Sequence, residues 1–213
     1  MKIKVCGLKY PENINNLVAL QPDYMGFICY GPSPRFISDM SADILLNLPS
    51  NIIKTGVFVN EAQQTIDTLI NQYGFNAVQL HGKESPEFCA HFKGRVQVLK
   101  AFGMNEEFDF NQLQAYADVV DYFLFDTKTT QHGGSGKTFN WDILQKYNLN
   151  IPFFLSGGLS PDNLAEVQNI KHPAFYGVDL NSRFEASPGM KNITLLQQAF
   201  DLLRQPQYNE IRS

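Results

Sequence analysis

Residues 153–162 read FFLSGGLSPD and contain one complete unit of a repeating fold. A short apolar run ends at Ser156, two glycines follow, and Ser160 stands before Pro161. Serine before proline is typical of a helix cap followed by the first helical residue. A strand, a loop and the start of a helix, in this order, predict a βα unit.

The same order recurs along the chain. Eight short apolar runs are each followed by polar or glycine-rich residues and then, mostly, by a helical pattern. They occupy residues 3–6, 24–28, 54–59, 77–80, 96–101, 122–125, 153–155 and 175–178. Near-continuous apolar runs are typical of parallel strands that are buried on both faces. Alternation of β and α admits an open sheet or a closed barrel, and eight units in 213 residues favour a single (β/α)8 TIM-barrel domain with few insertions over residues 1–213.

Helical patterns lie between the apolar runs. Residues 61–73 carry apolar side chains three and four positions apart, and Ser85 before Pro86 repeats the capping pattern seen at Ser160. Residues 192–203 predict a final amphipathic helix, and residues 110–116 could be helical.

Composition excludes several classes of function. The net charge is −4 and the basic residues are scattered, so the basic face that nucleic acids or anionic membranes require is not expected. The longest apolar run falls short of 18 residues, which argues against a membrane span. Three cysteines without a C-x-x-C pair argue against disulfides or zinc and favour the cytoplasm. We expect no metal, no cofactor, and a monomer or homodimer that binds a small phosphorylated molecule.

Chemistry in such a barrel takes place at the carboxyl ends of the strands. Two titratable residues lie there, Cys6 at the end of the first run and Asp126 at the end of the sixth. A lone cysteine in a strand is usually a small buried hydrophobic residue, but a thiol and a carboxyl across a barrel mouth suit acid–base catalysis. Burial in an apolar strand should keep Asp126 partly dry. For Cys6, the site must lower the pKa or work from a minor thiolate population.

Other strand ends offer binding groups. Ser156-Gly157-Gly158 predicts a phosphate cradle aided by the following helix, although two glycines after a strand often form only a tight turn. Arg35 follows a rigid Pro-Ser-Pro segment and suits a carboxylate or phosphate, or is an exposed loop residue. His81 could be a ligand, a base or a hydrogen-bonded core histidine. Asp179 and Ser182 complete the candidate substrate-binding residues.

Residues 133–138 read GGSGKT, which at first resembles a nucleotide-binding P-loop. That motif requires glycine at position 131, where this chain has Gln131. We therefore reject ATP or GTP binding and expect residues 128–137 to form a flexible loop that closes over a substrate.

Together these motifs resemble the phosphoribosylanthranilate isomerases. The resemblance rests on residues 2–7, 33–35, 56–60, 79–82, 125–127 with 133–136, Phe139, Trp141, 156–163 and 188–191. It implies an Amadori rearrangement without cofactor or metal, in which Asp126 protonates the ribose ring oxygen and Cys6 removes the C2′ proton. It also implies that Arg35 binds the anthranilate carboxylate and that Gly157, Gly158 and residues near Ser182 hold the phosphate.

One segment departs from the family pattern. Residues 179–183 read DLNSR where the family commonly reads Asp-Val-Ser-Ser-Gly, so Arg183 replaces a glycine and predicts a changed loop conformation. Two alternatives stay open. A related histidine-pathway isomerase uses an aspartate where this chain has Cys6, and a non-catalytic phosphometabolite-binding barrel would not need both Cys6 and Asp126.

Overall fold

The computed structural model describes residues 1–127 and 139–205. Eight parallel strands close into a barrel, in the order of the chain. They are β1 (Lys2–Cys6), β2 (Tyr24–Ile28), β3 (Ile53–Phe58), β4 (Ala77–Leu80), β5 (Gln97–Met104), β6 (Tyr122–Thr127), β7 (Phe153–Leu155) and β8 (Phe175–Leu180). The predicted TIM barrel is thus confirmed. The loop expected at residues 128–137, with its GGSG sequence, lies outside the described residues.

Helices cover the outside of the barrel. The α-helices are α1 (Pro11–Val18), α2 (Ala42–Leu46), α3 (Gln63–Tyr73), α4 (Pro86–Ala90) and α5 (Ile193–Arg204). The 3-10 helices are Phe110–Tyr116, Trp141–Lys146, Leu164–Asn169 and Ser182–Phe184. A short antiparallel hairpin of β9 (Glu185–Ser187) and β10 (Met190–Lys191) follows the barrel.

Local sequence explains where several helices begin and end. The Ser85 hydroxyl accepts a hydrogen bond from the Phe88 amide at the start of α4, and the Asn192 side chain caps α5 in the same way. Helix α3 ends at Gly74, whose φ of 62° suits glycine. In the described part of the chain, no helix is long and apolar enough to cross a membrane.

The cap predicted at Ser160 is wrong. The residues after Pro161 form a turn, and the helix that follows is the short 3-10 helix Leu164–Asn169 with Asn163 at its N-terminal cap position. The Asn163 side chain accepts from the Ser160 amide and donates to the Gly158 carbonyl. Asn163 therefore holds the loop at the position where Ser160 was expected to start a helix.

The core has two parts because side chains alternate between the two faces of each strand. One cluster fills the inside of the barrel and consists of Tyr24, Ala77, Leu99, Ala101, Leu124 and Phe154. The larger cluster packs the outer strand faces against the helices. The barrel is thus filled below its mouth, and a substrate can enter only at the strand ends.

Candidate active site

Two titratable side chains of the barrel interior, Cys6 and Asp126, lie at or near the carboxyl ends of β1 and β6. Cys6 is almost fully buried, with 3% of its surface exposed. A β-carbon on Gly26, its partner on β2, would lie 2.7 Å from the Cys6 sulfur. Glycine at position 26 therefore makes room for the thiol inside the barrel.

The electrostatic surroundings of the thiol are mixed. Burial raises the pKa of Cys6, Lys4 and Lys191 lower it, and Asp179 raises it further. The net effect is a raised pKa. The lowered pKa, one of the two routes expected for this thiol, is therefore not found.

Directly below the thiol lies an ion pair inside the barrel. Lys4 precedes Cys6 by two residues on β1, so both side chains point the same way. Asp179 is its register partner on β8, and the Lys4 Nζ to Asp179 Oδ2 distance is 2.8 Å. Both side chains are buried, and no described residue bonds to Asp179 Oδ1. Asp179 thus faces the site, but one of its oxygens is already bound to Lys4.

Asp126 is partly buried at the end of its apolar strand. Its side chain is 27% exposed, so the carboxyl is partly shielded from water, as expected. Its Oδ2 lies 3.2 Å from His81 Nε2, and His81 Nδ1 lies 2.9 Å from Gln79 Nε2. As the Gln79 amide is placed, its nitrogen donates to Nδ1, so Nε2 is the ring nitrogen that faces Asp126. His81 is hydrogen-bonded as expected, but at 33% exposure it is not a core residue.

Gly157 and Gly158 lie beside this carboxyl, after β7. Their φ angles are 78° and 71°, a region that favours glycine. A β-carbon on Gly157 would collide with Asp126 Oδ1 and with the Thr127 amide. The glycines of the predicted phosphate cradle are therefore present at the mouth. The helix that was expected to aid phosphate binding is a six-residue 3-10 helix that starts only at Leu164, so that part of the prediction is wrong.

Arg35 lies next to Gly7 and is held by the hairpin. Its Nε donates to Glu185 Oε1 at 2.9 Å and its Nη2 to Glu185 Oε2 at 2.7 Å. Lys191 contacts the same carboxylate at 2.7 Å and also donates to the Asn181 side chain at 2.8 Å. The Arg35 side chain is 14% exposed, so the alternative of an exposed loop arginine is wrong.

Glu185 is the carboxylate that pairs with both Arg35 and Lys191. Burial opposes its charge, but hydrogen bonds and charge from Arg35 and Lys191 outweigh burial and lower its pKa. Two cations around one carboxylate leave an excess positive charge, which suits a second, external carboxylate.

Ser182 and Arg183 follow β8 in the 3-10 helix Ser182–Phe184. Arg183 is exposed and does not have a positive φ, as expected for a loop that differs from the glycine-containing family pattern. It forms no ion pair with any described residue.

Sequence reasoning missed three site residues: Lys4, Glu185 and Lys191. Strand alternation could have found Lys4, since a charged residue two positions before Cys6 must share its face. Nothing in the sequence brings Glu185 and Lys191 to Arg35, because that contact depends on the fold of the hairpin. Among the described residues, no group of three His, Cys, Asp or Glu side chains could hold a metal ion.

The sequence matches a known family over almost its whole length. Residues 3–201 match the model of the N-(5′-phosphoribosyl)anthranilate isomerase family. One relative, the N-(5′-phosphoribosyl)anthranilate isomerase of Phocaeicola vulgatus, is 42% identical over 206 residues, which cover 96% of this chain and 98% of the relative.

Solved structures agree with the sequence match. A phosphoribosylanthranilate isomerase in complex with reduced 1-(o-carboxyphenylamino)-1-deoxyribulose 5-phosphate is 31% identical, with a TM-score of 0.81 and coverage of 94% of this chain and 97% of that chain. Monomers generated from the dimeric enzyme of Thermotoga maritima are 32% identical, with a TM-score of 0.81 and coverage of 95% and 97%. The chain therefore belongs to the N-(5′-phosphoribosyl)anthranilate isomerase family.

Proposed function

We propose that Cys6 is the general base and Asp126 the general acid of the reaction that this chain catalyses, the Amadori rearrangement of N-(5′-phosphoribosyl)anthranilate in tryptophan biosynthesis. The observation that supports these roles is a thiol on β1 and a carboxyl on β6, both inside the barrel near its mouth. A thiol and a carboxyl so placed can act on two different atoms of one small substrate.

The substrate has two anionic ends, and the site offers a binding group for each. The excess positive charge of Arg35 and Lys191 over Glu185 attracts the anthranilate carboxylate, and the Arg35 Nη1 group is left to bind it. Main-chain amides around Gly157 and Gly158, with Ser182 after the neighbouring strand β8, hold the phosphate. The ligand in the related complex, a reduced carboxyphenylamino deoxyribulose phosphate, carries both of these anionic groups.

Catalysis moves one proton in each of two steps. Asp126 in its acid form gives its proton to the ribose ring oxygen, the bond from that oxygen to C1′ breaks, and the anthranilate nitrogen forms a Schiff base with C1′. The Cys6 thiolate then takes the C2′ proton, which yields an enolamine that tautomerises to the ketone product. His81 and Asp179 line the space between the two catalytic groups and are proposed to contact the ribose hydroxyls; Asp179 would use its free Oδ1.

The two alternative functions have less support. The histidine-pathway isomerase would need an aspartate in the place of Cys6, and a non-catalytic barrel would have no use for a paired acid and base. The family match over residues 3–201 favours the tryptophan-pathway isomerase over both.

Assembly and location are further parts of this proposal. The Thermotoga maritima relative is described as dimeric, which supports a homodimer over a monomer. Three free cysteines support a reducing compartment, the cytoplasm. Sedimentation of the purified protein at several concentrations distinguishes monomer from dimer.

Complementation tests the activity and the roles together. The wild-type gene should restore growth without tryptophan to an auxotroph that lacks this isomerase, whereas Cys6→Ala and Asp126→Ala should not. Cys29→Ala, which also removes a buried cysteine, is the matched control and should complement. Failure of the wild type, or growth with both catalytic variants, would overturn the proposal.

A further inference from the structure

The thiol of Cys6 is surrounded by charged side chains that the reaction scheme does not use. Lys4 lies on the same strand and the same face, and Asp179 bonds to Lys4 from β8. Lys191 reaches the site from β10 and donates to the Asn181 side chain, whose oxygen lies 2.7 Å from the position of a β-carbon on Gly7. Asn181 thus lies between this second ammonium group and Gly7, the residue after Cys6.

Burial strengthens the interactions between these charges. The side chains of Lys4 and Lys191 are both 0% exposed. Charges that are removed from water interact more strongly, and each must be balanced nearby. Lys4, Lys191 and Arg35 face two carboxylates, Asp179 and Glu185, so the cluster carries one excess positive charge among the described residues. Of the three cations, Lys4 and Lys191 act on the Cys6 sulfur, whereas Arg35 is the one proposed to bind the substrate carboxylate.

We propose that Lys4 and Lys191 are positioning residues whose ammonium groups flank the Cys6 sulfur and stabilise its thiolate, and that Asp179 and Glu185 hold them in place. This inference rests on the proposed role of Cys6 as the base. It assigns Asp179 a second task beside any contact with substrate, which is to fix Lys4 while limiting its effect on the thiol.

The titration of the groups agrees with this arrangement. Burial alone would lower the pKa of Lys4, but Asp179 and Cys6 outweigh burial and raise it, so Lys4 stays charged. Burial lowers the pKa of Lys191, and Glu185 and Cys6 oppose that effect. Lys4 is therefore the stronger of the two partners of the thiol.

Alkylation by iodoacetamide at pH 8 measures the thiolate of Cys6 without any turnover. The rate is followed for the Cys6 peptide by mass spectrometry, and Cys29 and Cys89 serve as internal references, since burial raises the pKa of each to about 12. An adjacent opposite charge shifts a pKa by roughly 1–3 units, and a more basic thiolate is also more nucleophilic, so Lys4→Met should slow alkylation about 3- to 50-fold. Lys191→Met should slow it less.

The direction in which a second variant changes the alkylation rate distinguishes an electrostatic effect on Cys6 from a loss of structure around it. Asp179→Asn removes the carboxylate that opposes the thiolate, so it should speed the alkylation of Cys6. Lys100→Met is the matched control, because Lys100 is also buried and paired with a carboxylate, that of Glu84, but lies on β5 away from Cys6. It should leave the rate at Cys6 unchanged.

A lone buried Asp179 could unfold the barrel, so Lys4→Met is also made in the Asp179→Asn background. There it should slow alkylation relative to Asp179→Asn alone. An unchanged or faster rate on loss of Lys4 in a folded protein, or the same direction of change in Lys4→Met and Asp179→Asn, would overturn the inference. The role of Cys6 as base is judged separately by the turnover of Cys6→Ala, so the two claims fail independently.

Discussion

Gly157 lies so close to Asp126 that a β-carbon at position 157 would collide with the carboxylate oxygen Oδ1. The glycine of the loop after β7 is thus part of the wall against which the candidate acid is placed. Any side chain there must displace either the loop or the carboxyl group, and both are expected to contact the substrate.

Gly157→Ala should therefore lose activity by more than its loss of stability explains. A displacement of about 1 Å at a catalytic group can cost about 100-fold in rate, and we expect kcat to fall by about that factor. Gly94→Ala is the control: Gly94 has a φ of 81°, close to that of Gly157, but no atom within 4 Å of its β-carbon position. Gly94→Ala should lose about 1–2 kcal/mol of stability through its positive φ alone and should keep its kcat. Gly157→Ala should lose more stability, because its β-carbon also collides with Asp126 and Thr127. Equal kcat in the two variants would contradict the account.

Asp126→Asn keeps the shape of the side chain and its contact with His81 but cannot deliver a proton. We expect kcat to collapse, by about 100- to 10,000-fold, while the melting temperature stays near that of the wild type. A thiol that must be ionised and a carboxyl that must be protonated also predict a bell-shaped dependence of wild-type kcat/KM on pH, with a plateau between the two pKa values. Burial raises the pKa of Cys6, so the alkaline limb should lie above about pH 8.5, the ordinary value for a thiol. An alkaline limb near neutral pH would argue against this acid–base pair.

Arg183 is exposed beside Ser182, and we predict that it adds a charged contact to the substrate phosphate. Such a hydrogen bond contributes about 1.5–3 kcal/mol, so Arg183→Ala should raise KM roughly 10- to 150-fold. Arg183→Gly should raise KM less, since glycine restores the backbone approach of the family pattern. Salt should weaken binding more in the wild type than in Arg183→Ala. An unchanged KM in Arg183→Ala would make this arginine a surface residue.

Glu185 predicts a pH-dependent contribution to stability. Its pKa is lowered below the usual 4.5 in the folded protein, so its contribution is complete above that value and is lost as the pH falls through the lower, folded pKa. Glu185→Gln leaves Arg35 and Lys191 without their carboxylate and should cost on the order of 3 kcal/mol at pH 7. Urea unfolding at pH 7 and pH 3 should show a smaller difference from the wild type at the lower pH. A constant difference would mean that Glu185 acts through packing.

The sequence predicted the barrel because each strand appears as a short apolar run that the chain repeats eight times. It predicted Cys6, Asp126 and the glycines of residues 157–158 because strand ends are adjacent in such a barrel. It misplaced the cap at Ser160, since Asn163 competes for the same loop through two side-chain hydrogen bonds.

Contacts between distant segments of the chain could not be predicted from the sequence. Glu185 lies 150 residues from Arg35 in the chain, and no periodic pattern relates them. The contact between Asp126 and His81 was likewise not predictable, because the two residues belong to β6 and to the loop after β4.

The central claim is that the Cys6 thiol removes the C2′ proton, and steady-state turnover of purified Cys6→Ala tests it most directly. The variant removes only one sulfur atom, which lies in the space that Gly26 leaves open. It should therefore fold and bind substrate with little change in KM. We predict that kcat falls about 100- to 10,000-fold or more, while Cys89→Ala keeps near-normal kcat. Turnover of folded Cys6→Ala at a rate near that of the wild type would contradict the account.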